Sequence, residues 1–275
     1  MSDTATAFVP GHITGFFSAH ERADPVAAGS RGAGVALADG VRASVSADAE
    51  TTLRLNGDPV DVEPVQRVLH KLGVEGVVEF ETELPVGAGF GVSGAMALGT
   101  ALAANAAFDL ARTENELVRV AHVAEVESGT GLGDVVAQAR GGVPIRVEPG
   151  APECGELDGV PETGRIEYLA LGERSTADVL AGDTTALSAA GETALANLRA
   201  EPTLGEFLAQ SRRFAADAGL MSEAVRTVVD ASESPASMAM LGETAFALGT
   251  GLSDAGYDAE RCAIHPAGAT METDI

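Results

Sequence analysis

Lysine is nearly absent from this sequence, because Lys71 is the only one in 275 residues. The chain has 41 acidic against 17 basic residues and a formal net charge of -24. So acidic a surface repels nucleic acid and anionic lipid, and we expect neither as a partner. Acid excess without lysine also indicates a protein that stays soluble in brine, where salt screens the repulsion between carboxylates. We therefore predict a halophilic protein.

Cysteine is also scarce, with only Cys154 and Cys262 and no CxxC motif or Cys/His cluster. This excludes a disulfide framework and a zinc site, and we expect two free, buried thiols in a reducing cytoplasm. The N-terminal MSDTATAFVP lacks the regions of a signal peptide. Residues 84–108 carry no charge, but their proline and glycines favour a buried segment over a transmembrane helix. We predict a cytoplasmic protein without a membrane partner.

The first part of the chain carries mixed helical and strand signals. We predict a strand near 6–14, and a hairpin in GVALADGVRASVSA that turns at Asp39-Gly40. A strand in TTLRLN and an amphipathic helix that ends at Gly73 follow, and VVEFETEL alternates like another strand. Helices are expected over 93–111 and from 115 to about 126, the second behind a capping box. GGVPIRVEPG is typical of a further strand.

The texture changes near residue 150, where an acidic, turn-rich stretch begins. A strand in GRIEYLAL, three helices between 183 and 232, and short strands in SMAMLGETAFAL and RCAIHP are expected after it. One of these helices has Thr203 and Glu206 placed as a capping box. We predict an α+β protein of two domains, 1–150 and 151–275, with 45% hydrophobic residues to form its core.

PVGAGFGVSGA, residues 85–95, lies between a predicted strand and a predicted helix. Glycines let a backbone approach a ligand closely, and a helix N-terminus favours an anion, most often phosphate. GFGVSG also satisfies the dinucleotide pattern GxGxxG, with Asp109 about 20 residues on. A helical stretch that runs up to Asp109 opposes that reading, and no Gly-Lys-Ser/Thr is present for a P-loop. A purely structural turn remains the plain alternative.

Residues 85–95 resemble the phosphate loop of the GHMP kinase superfamily, PxGxGLGSSAA, with Val92 and Gly94 as departures. The resemblance implies an α+β GHMP kinase fold, with an N-terminal part like domain 2 of ribosomal protein S5 and a ferredoxin-like C-terminal part. It also implies ATP as co-substrate and Mg²⁺. The nucleotide-binding residues implied are Pro85, Gly87, Ala88, Gly89, Phe90, Gly91, Val92, Ser93, Gly94 and Ala95.

AHVAEVESGTGLGDVVAQARGG resembles a second segment of the superfamily, a helix with a glutamate followed by a turn with an aspartate. The resemblance assigns Glu125, with Glu127 as second choice, to magnesium together with Ser93, and Asp134 to the general base. AMLGETAFALG loosely resembles the glycine loop that closes the nucleotide site. A hard cation accepts hydroxyl and carboxylate oxygens, and a carboxylate suits an alcohol nucleophile.

VPGHITGFF and GSRGAG near the N-terminus resemble the archaeal pantoate kinases within this superfamily. The function implied is ATP-dependent phosphorylation of the primary hydroxyl of pantoate in coenzyme A biosynthesis. Arg31 is predicted to bind the pantoate carboxylate and His20 to contact the substrate. His12 stands where some relatives have lysine, so a packing or hydrogen-bonding role is favoured over a catalytic one. Homoserine or mevalonate kinase activity, or a non-catalytic binding protein, are the alternatives, and the oligomeric state is open between monomer and homodimer.

Overall fold

The computed structural model describes residues 4–172, 184–240 and 242–272, which form an α+β fold, as predicted. Its strands are β1 (Ala5–His20), β2 (Gly29–Ala47), β3 (Thr52–Leu55), β4 (Asp58–Pro59), β5 (Gly76–Glu81), β6 (Val143–Glu148), β7 (Glu156–Val160), β8 (Arg165–Gly172), β9 (Ala236–Ala239), β10 (Glu243–Leu248), β11 (Glu260–Ala263) and β12 (Thr270–Glu272). The helices are α1 (Glu63–Leu72), α2 (Val92–Ala107), α3 (Glu114–Ser128), α4 (Asp134–Arg140), α5 (Thr185–Ala200), α6 (Leu204–Asp217), α7 (Glu223–Ala231) and α8 (Gly251–Asp254). No helix in these ranges is long and apolar enough to cross a membrane.

The larger sheet has the strand order β12-β1-β2-β5-β3-β4, and β6 pairs with both β2 and β7. Helix α2 packs on β1 and β2, and α1 and α3 pack against α2. The small residues of α2 let it pack closely on the sheet. At Gly99, for example, an added Cβ would lie only 2.7 Å from Ala43 Cβ on β2. The helical part of the uncharged segment at 84–108 is therefore buried in the core, as predicted, and it brings the loop before α2 to the edge of the sheet.

The predicted hairpin at Asp39-Gly40 is wrong, because β2 is one continuous strand antiparallel to β1. The pairing passes from Pro10↔Gly40 to Gly11↔Leu37, which makes residues 38 and 39 a bulge. Strand β1 reaches His20 instead of ending near residue 14, so β2 keeps a partner on both sides of the Asp-Gly pair. Glycine is required at 40 by close approach, since a Cβ there would lie 2.2 Å from Val9 O.

The helix predictions around the glycine-rich loop are largely confirmed. Helix α1 ends at Gly73, with φ 71°, and α3 starts from Thr113 with both bonds of its capping box to Glu116 present. Helix α2 ends at Ala107, four residues earlier than predicted, since Asp109 and Ala111 adopt φ of 49° and 55°. Helix therefore occupies the place where a dinucleotide fold needs a second strand.

The smaller sheet has the order β11-β8-β10-β9, with α7 packed on β9 and β10. At α6 Thr203 Oγ1 accepts the Glu206 N–H, but the Glu206 carboxylate accepts from Gln210 instead of closing the capping box. Helices α5 and α6 pack on β1, and β12 pairs with β1, so the last third of the chain contacts the first strand. The domain boundary near residue 150 stays a prediction.

Both cysteines are free, as predicted, but only one is buried. Cys262 lies in β11 and accepts a hydrogen bond from the Asp39 N–H at 3.3 Å. Cys154 is exposed, which contradicts the predicted burial. It lies in the turn-rich link between β6 and β7, where no element covers it.

Candidate active site

The glycine-rich loop has a backbone in which left-handed residues alternate with ordinary ones. Gly87, Gly89 and Gly91 have φ of 78°, 91° and 63°, which side-chain-bearing residues rarely adopt. Such alternation turns successive N–H groups toward one concave side, a backbone anion site. In the described ranges the N–H groups of Gly89, Gly91 and Val92 donate no hydrogen bond, and no side chain caps α2. The loop thus presents free donors at a helix N-terminus.

Glycine at position 94, a departure from the superfamily pattern, is explained by the close approach of α4. A Cβ there would lie 3.1 Å from Gln138 Oε1 and 3.4 Å from the Cβ of Asp134. Helix α4 therefore packs close to the first turn of α2. The close approach brings the aspartate at the start of α4 beside the loop.

Ser93, in the first turn of α2, donates a hydrogen bond from Oγ to Glu125 Oε1 on α3 at 2.5 Å. Glu125 is only 3% exposed, and this burial, reinforced by the negative charge of Asp134, raises its pKa to about 7. Glu127 points elsewhere, to Arg67 and Lys71 on α1. The structure thus brings Ser93 together with Glu125, the first choice, rather than with the runner-up.

The oxygens of Ser93 and Glu125 fit a hard cation such as Mg²⁺. A buried carboxylate without a basic partner is costly, and a cation would offset that cost. The described residues contain no cluster of three or more His, Cys, Asp or Glu, so this is not an all-protein metal cage. Two protein ligands completed by phosphate oxygens and water are the usual arrangement for Mg²⁺ at a nucleotide.

Asp134 begins α4, and its Oδ1 lies 2.7 Å from Nδ1 of His12 and 3.4 Å from the Thr14 hydroxyl on β1. Burial acts to raise the pKa of Asp134, but the His12 bond and the positive charge of Arg146 outweigh it and hold the pKa below its usual value. His12 is fully buried, which lowers its pKa. The lowered pKa values of both groups agree with a neutral His12 that donates its Nδ1–H to an ionised Asp134.

His12 therefore positions Asp134, in line with the favoured hydrogen-bonding role. Its ring fits only because residue 34 is glycine, since a Cβ there would lie 2.1 Å from His12 Nε2. Residues 12 and 134 are far apart in sequence, and no local pattern indicated this pair.

Arg146 on β6 is a site residue that the sequence reasoning missed. It is 1% exposed, yet its Nε and Nη1 have no hydrogen-bond partner in the described structure. It lines one small pocket with six other residues: Thr14, Phe17, Ser30, Leu132, Gly133 and Asp134. A basic residue in the middle of GGVPIRVEPG, between the apolar Ile145 and Val147, was the signal available. A buried guanidinium with free donors is a binding group for a carboxylate or phosphate.

His20 and Arg31, the predicted substrate contacts, form a cluster with Glu192 of α5. Arg31 donates to Glu192 Oε2 and to Val147 O, both at 2.7 Å, and His20 Nε2 lies 3.1 Å from Glu192 Oε1. Ser30 and Arg31 point to opposite faces of β2, since side chains alternate along a strand. Ser30 lines the pocket of Asp134, whereas Arg31 does not. Substrate binding by His20 and Arg31 stays a prediction.

His122, three residues before Glu125 on α3, is buried. Its Nε2 lies 2.9 Å from Ala28 O, so the ring is tied to the chain just before β2.

Comparisons with known proteins agree with this geometry. Residues 62–142 match the family model of the GHMP kinases N terminal domain. The chain is 38% identical over 261 residues to a pantoate kinase from Thermococcus kodakarensis, which covers 88% of this chain and 86% of the relative. It is 36% identical over 256 residues to a pantoate kinase from Methanospirillum hungatei, with 89% and 87% covered.

Solved structures extend the likeness to the whole fold. A phosphotransferase related to the CoA biosynthesis pathway superposes with a TM-score of 0.84 at 33% identity, covering 98% of this chain and 99% of the other. A homoserine kinase from Cytophaga hutchinsonii shares the fold, with a TM-score of 0.67, 18% identity and 99% and 98% coverage. Identity above 30% over most of both chains, together with the matched family model, shows that this chain belongs to the pantoate kinase family of GHMP kinases.

Proposed function

We propose that this protein transfers the γ-phosphoryl group of ATP to the primary hydroxyl of pantoate and forms 4-phosphopantoate for coenzyme A biosynthesis. One observation carries the proposal. A buried arginine with free donors, Arg146, and a partly buried, ionised carboxylate, Asp134, line the same pocket. That pair suits a substrate with both an anionic group and a reactive hydroxyl.

The loop at 85–95 is the proposed triphosphate site. Its unbonded N–H groups and the uncapped start of α2 offer donors and partial positive charge to phosphate oxygens. Ser93 and Glu125 would hold Mg²⁺, which, when bound, supplies charge neutralisation to the transferring phosphoryl group. In a protein of net charge -24 these local donors are what makes binding of a polyanion favourable.

Asp134 is the proposed proton acceptor. The hydroxyl oxygen of the substrate forms a bond to the γ-phosphorus, and the bond from that phosphorus to the oxygen bridging the β- and γ-phosphates breaks. The hydroxyl proton passes to Oδ of Asp134, while the electron pair of the broken bond stays on ADP. His12 and Thr14 hold the carboxylate in place through their contacts with Oδ1.

Arg146 is the proposed partner of the substrate carboxylate, because its free N–H groups can donate charge-assisted hydrogen bonds to an anion. Homoserine also carries an ammonium group, which would lie near Arg146 and be repelled. Asp134 is the only acidic residue lining this pocket in the described ranges, and it is already bonded to His12. Mevalonate is not excluded by charge, so the choice of pantoate over mevalonate rests on the relatives.

The deciding assay offers pantoate, homoserine and mevalonate in parallel to purified protein with ATP and magnesium in high potassium chloride. We expect phosphorylation of pantoate. Faster turnover of either other alcohol would overturn the substrate assignment, and no turnover with any of them would favour the non-catalytic alternative.

Arg146→Gln should raise the KM for pantoate by about 10- to 100-fold, because a charge-assisted hydrogen bond is lost. ATP affinity should change little. Arg213→Gln, at an exposed position of α6 away from the pocket, is the matched control. The cytoplasmic location and the oligomeric state stay predictions.

A further inference from the structure

The carbonyl groups of the phosphate loop are tied from three different elements. Ala88 O accepts a hydrogen bond from Thr244 Oγ1 at 2.8 Å, and Thr244 lies on β10 of the smaller sheet. Phe90 O accepts from the His12 N–H of β1 at 2.9 Å. Gly91 O accepts from Gln138 Nε2 of α4, also at 2.9 Å.

These bonds fix the direction of the amide donors. In a planar trans peptide the C=O of one residue and the N–H of the next point in opposite directions. A carbonyl held on one side of the loop therefore turns the next N–H to the other side. The three ties orient the N–H groups of Gly89, Gly91 and Val92, which donate no hydrogen bond in the described structure.

The tie to Ala88 differs from the other two because it depends on one side-chain hydroxyl from a distant part of the chain. Ala88 lies between two glycines with left-handed φ, so local geometry leaves its peptide free to rotate. Phe90, by contrast, is held by a backbone donor and by an edge contact of its ring with Tyr168, with centroids 4.8 Å apart. Gly91 is fixed further as the N-cap of α2.

The smaller sheet can approach this peptide closely because the residue before β10, Gly242, is also a glycine. A Cβ at Gly242 would lie 2.1 Å from Ala88 O, and a Cβ at Gly89 would lie 3.2 Å from the backbone of Gly242. Thr244 itself is completely buried, so water cannot take the place of its hydroxyl as the donor to Ala88 O.

We infer that Thr244 is a positioning residue for ATP. Its hydroxyl holds the Ala88 carbonyl behind the loop so that the Gly89 N–H faces the nucleotide phosphates. The inference rests on the proposed function, because it assigns a role within the same nucleotide site. It also makes strand β10 of the smaller sheet part of that site.

The test compares Thr244→Val, which removes the hydroxyl at constant shape, with Thr244→Ser, which keeps it. ATP affinity is measured by calorimetry, and the KM for ATP and kcat are measured in the pantoate phosphorylation assay. We expect Thr244→Val to weaken ATP binding and raise its KM by about tenfold, the value of one oriented hydrogen bond to a charged group. The KM for pantoate should stay the same, and Thr244→Ser should restore ATP affinity to within about threefold.

Thr100→Val is the matched control, because Thr100 is also fully buried and donates to a backbone carbonyl, Met96 O, at 2.8 Å within α2. Its ATP affinity should equal that of the unsubstituted protein. Melting temperatures identify any variant that fails to fold, and Thr244→Ala, which removes the hydroxyl without introducing a new methyl group in its place, then replaces Thr244→Val.

Three results would overturn the inference: unchanged ATP affinity in Thr244→Val, an equal loss in Thr100→Val, or no recovery in Thr244→Ser. Failure of the unsubstituted protein to bind ATP would be different, since it would overturn the proposed function itself and the inference with it.

Discussion

Glu125 and Glu167 are two buried glutamates with opposite electrostatic fates. Their exposed fractions are 3% and 0%, and burial acts to raise the pKa of both. The pKa of Glu125 does rise, to about 7, because Ser93 and Thr130 offset little of that burial. The pKa of Glu167 falls to about 2, because its hydrogen bonds outweigh burial.

The donors around Glu167 come from the fold itself. Its Oε2 accepts the N–H groups of Leu252 and Ser253 at the start of α8, and Oε1 accepts from the hydroxyl of Ser253 and from Arg165. Glu125 has no basic side chain and no such amides, only the hydroxyls beside it. A carboxylate that the fold satisfies is structural, whereas one that the fold buries and leaves short of positive charge is a candidate ligand for a cation, the role proposed above for Glu125.

The largest effect is expected at Asp134, which lies in the candidate active site together with Glu125. Asp134→Asn keeps the size of the side chain but removes the proposed base, so kcat should fall by about 100- to 10,000-fold with ATP affinity nearly unchanged. The measurements are kcat, ATP affinity and melting temperature. A kcat within about threefold of the original would end the general-base assignment and leave positioning and charge as the source of catalysis.

Two serine hydroxyls allow a matched comparison. Ser93→Ala removes the donor to Glu125 and a proposed magnesium ligand, and should reduce kcat/KM by roughly 30- to 1,000-fold, or about 2 to 4 kcal/mol. Ser253→Ala removes the equivalent donor to Glu167 and should leave kcat/KM unchanged. Activity that responds equally to the two substitutions would contradict the distinction between the two carboxylates.

The effects on stability should be reversed. Glu167→Gln removes the acceptor of a charge-assisted network and leaves Arg165 unpaired, which should lower the free energy of unfolding by about 1 to 3 kcal/mol. Glu125→Gln removes a poorly compensated buried acid, so stability without magnesium should stay equal or increase. Urea unfolding of both variants at neutral pH measures the difference, and a larger loss in Glu125→Gln would count against it.

Acid and alkaline shifts of stability should separate the same two groups. Glu167 has a depressed pKa, so its contribution is complete above the unfolded value of about 4.3 and is lost as pH falls toward 2. Glu125 has a raised pKa, so its contribution is complete below about 4.3 and is lost as pH rises through about 7. In unfolding curves measured across this pH range, Glu167→Gln should lose the fall in stability at acid pH. Glu125→Gln should lose the fall in stability as pH rises through about 7. A pH profile unchanged by either substitution would argue against these assignments.

Salt should act more weakly and on the whole surface. If the charge of -24 is an adaptation to brine, the melting temperature should rise by a few degrees from dilute to molar potassium chloride, because screening reduces repulsion. The carboxylate of Glu167 is buried among its donors, so Glu167→Gln should show the same slope. A flat or falling melting temperature would reject the halophilic prediction.

Local sequence signals predicted the elements that depend on local physics. Gly73 ends α1 because it adopts a left-handed φ, and the Thr113–Glu116 capping box starts α3. The Asp39-Gly40 hairpin failed because pairing of β2 with a long β1 outweighed the turn preference of two residues. Strand β12 had no recognisable local pattern, since it exists through its pairing with β1.

The sequence by itself determined the glycine loop, the α+β composition, the charge and the candidates Ser93, Glu125 and Asp134. These follow from residue types, local spacing and family resemblance. Only the tertiary structure decided that His12 binds Asp134, that Arg31 is paired with Glu192, and that Arg146 is buried with free donors beside the site. Hydrogen-bond satisfaction depends on which distant segments meet, and no spacing along the chain records it. The same reason separates Glu125 from Glu167: their sequences do not show which carboxylate receives amide donors from the fold and which is buried without them.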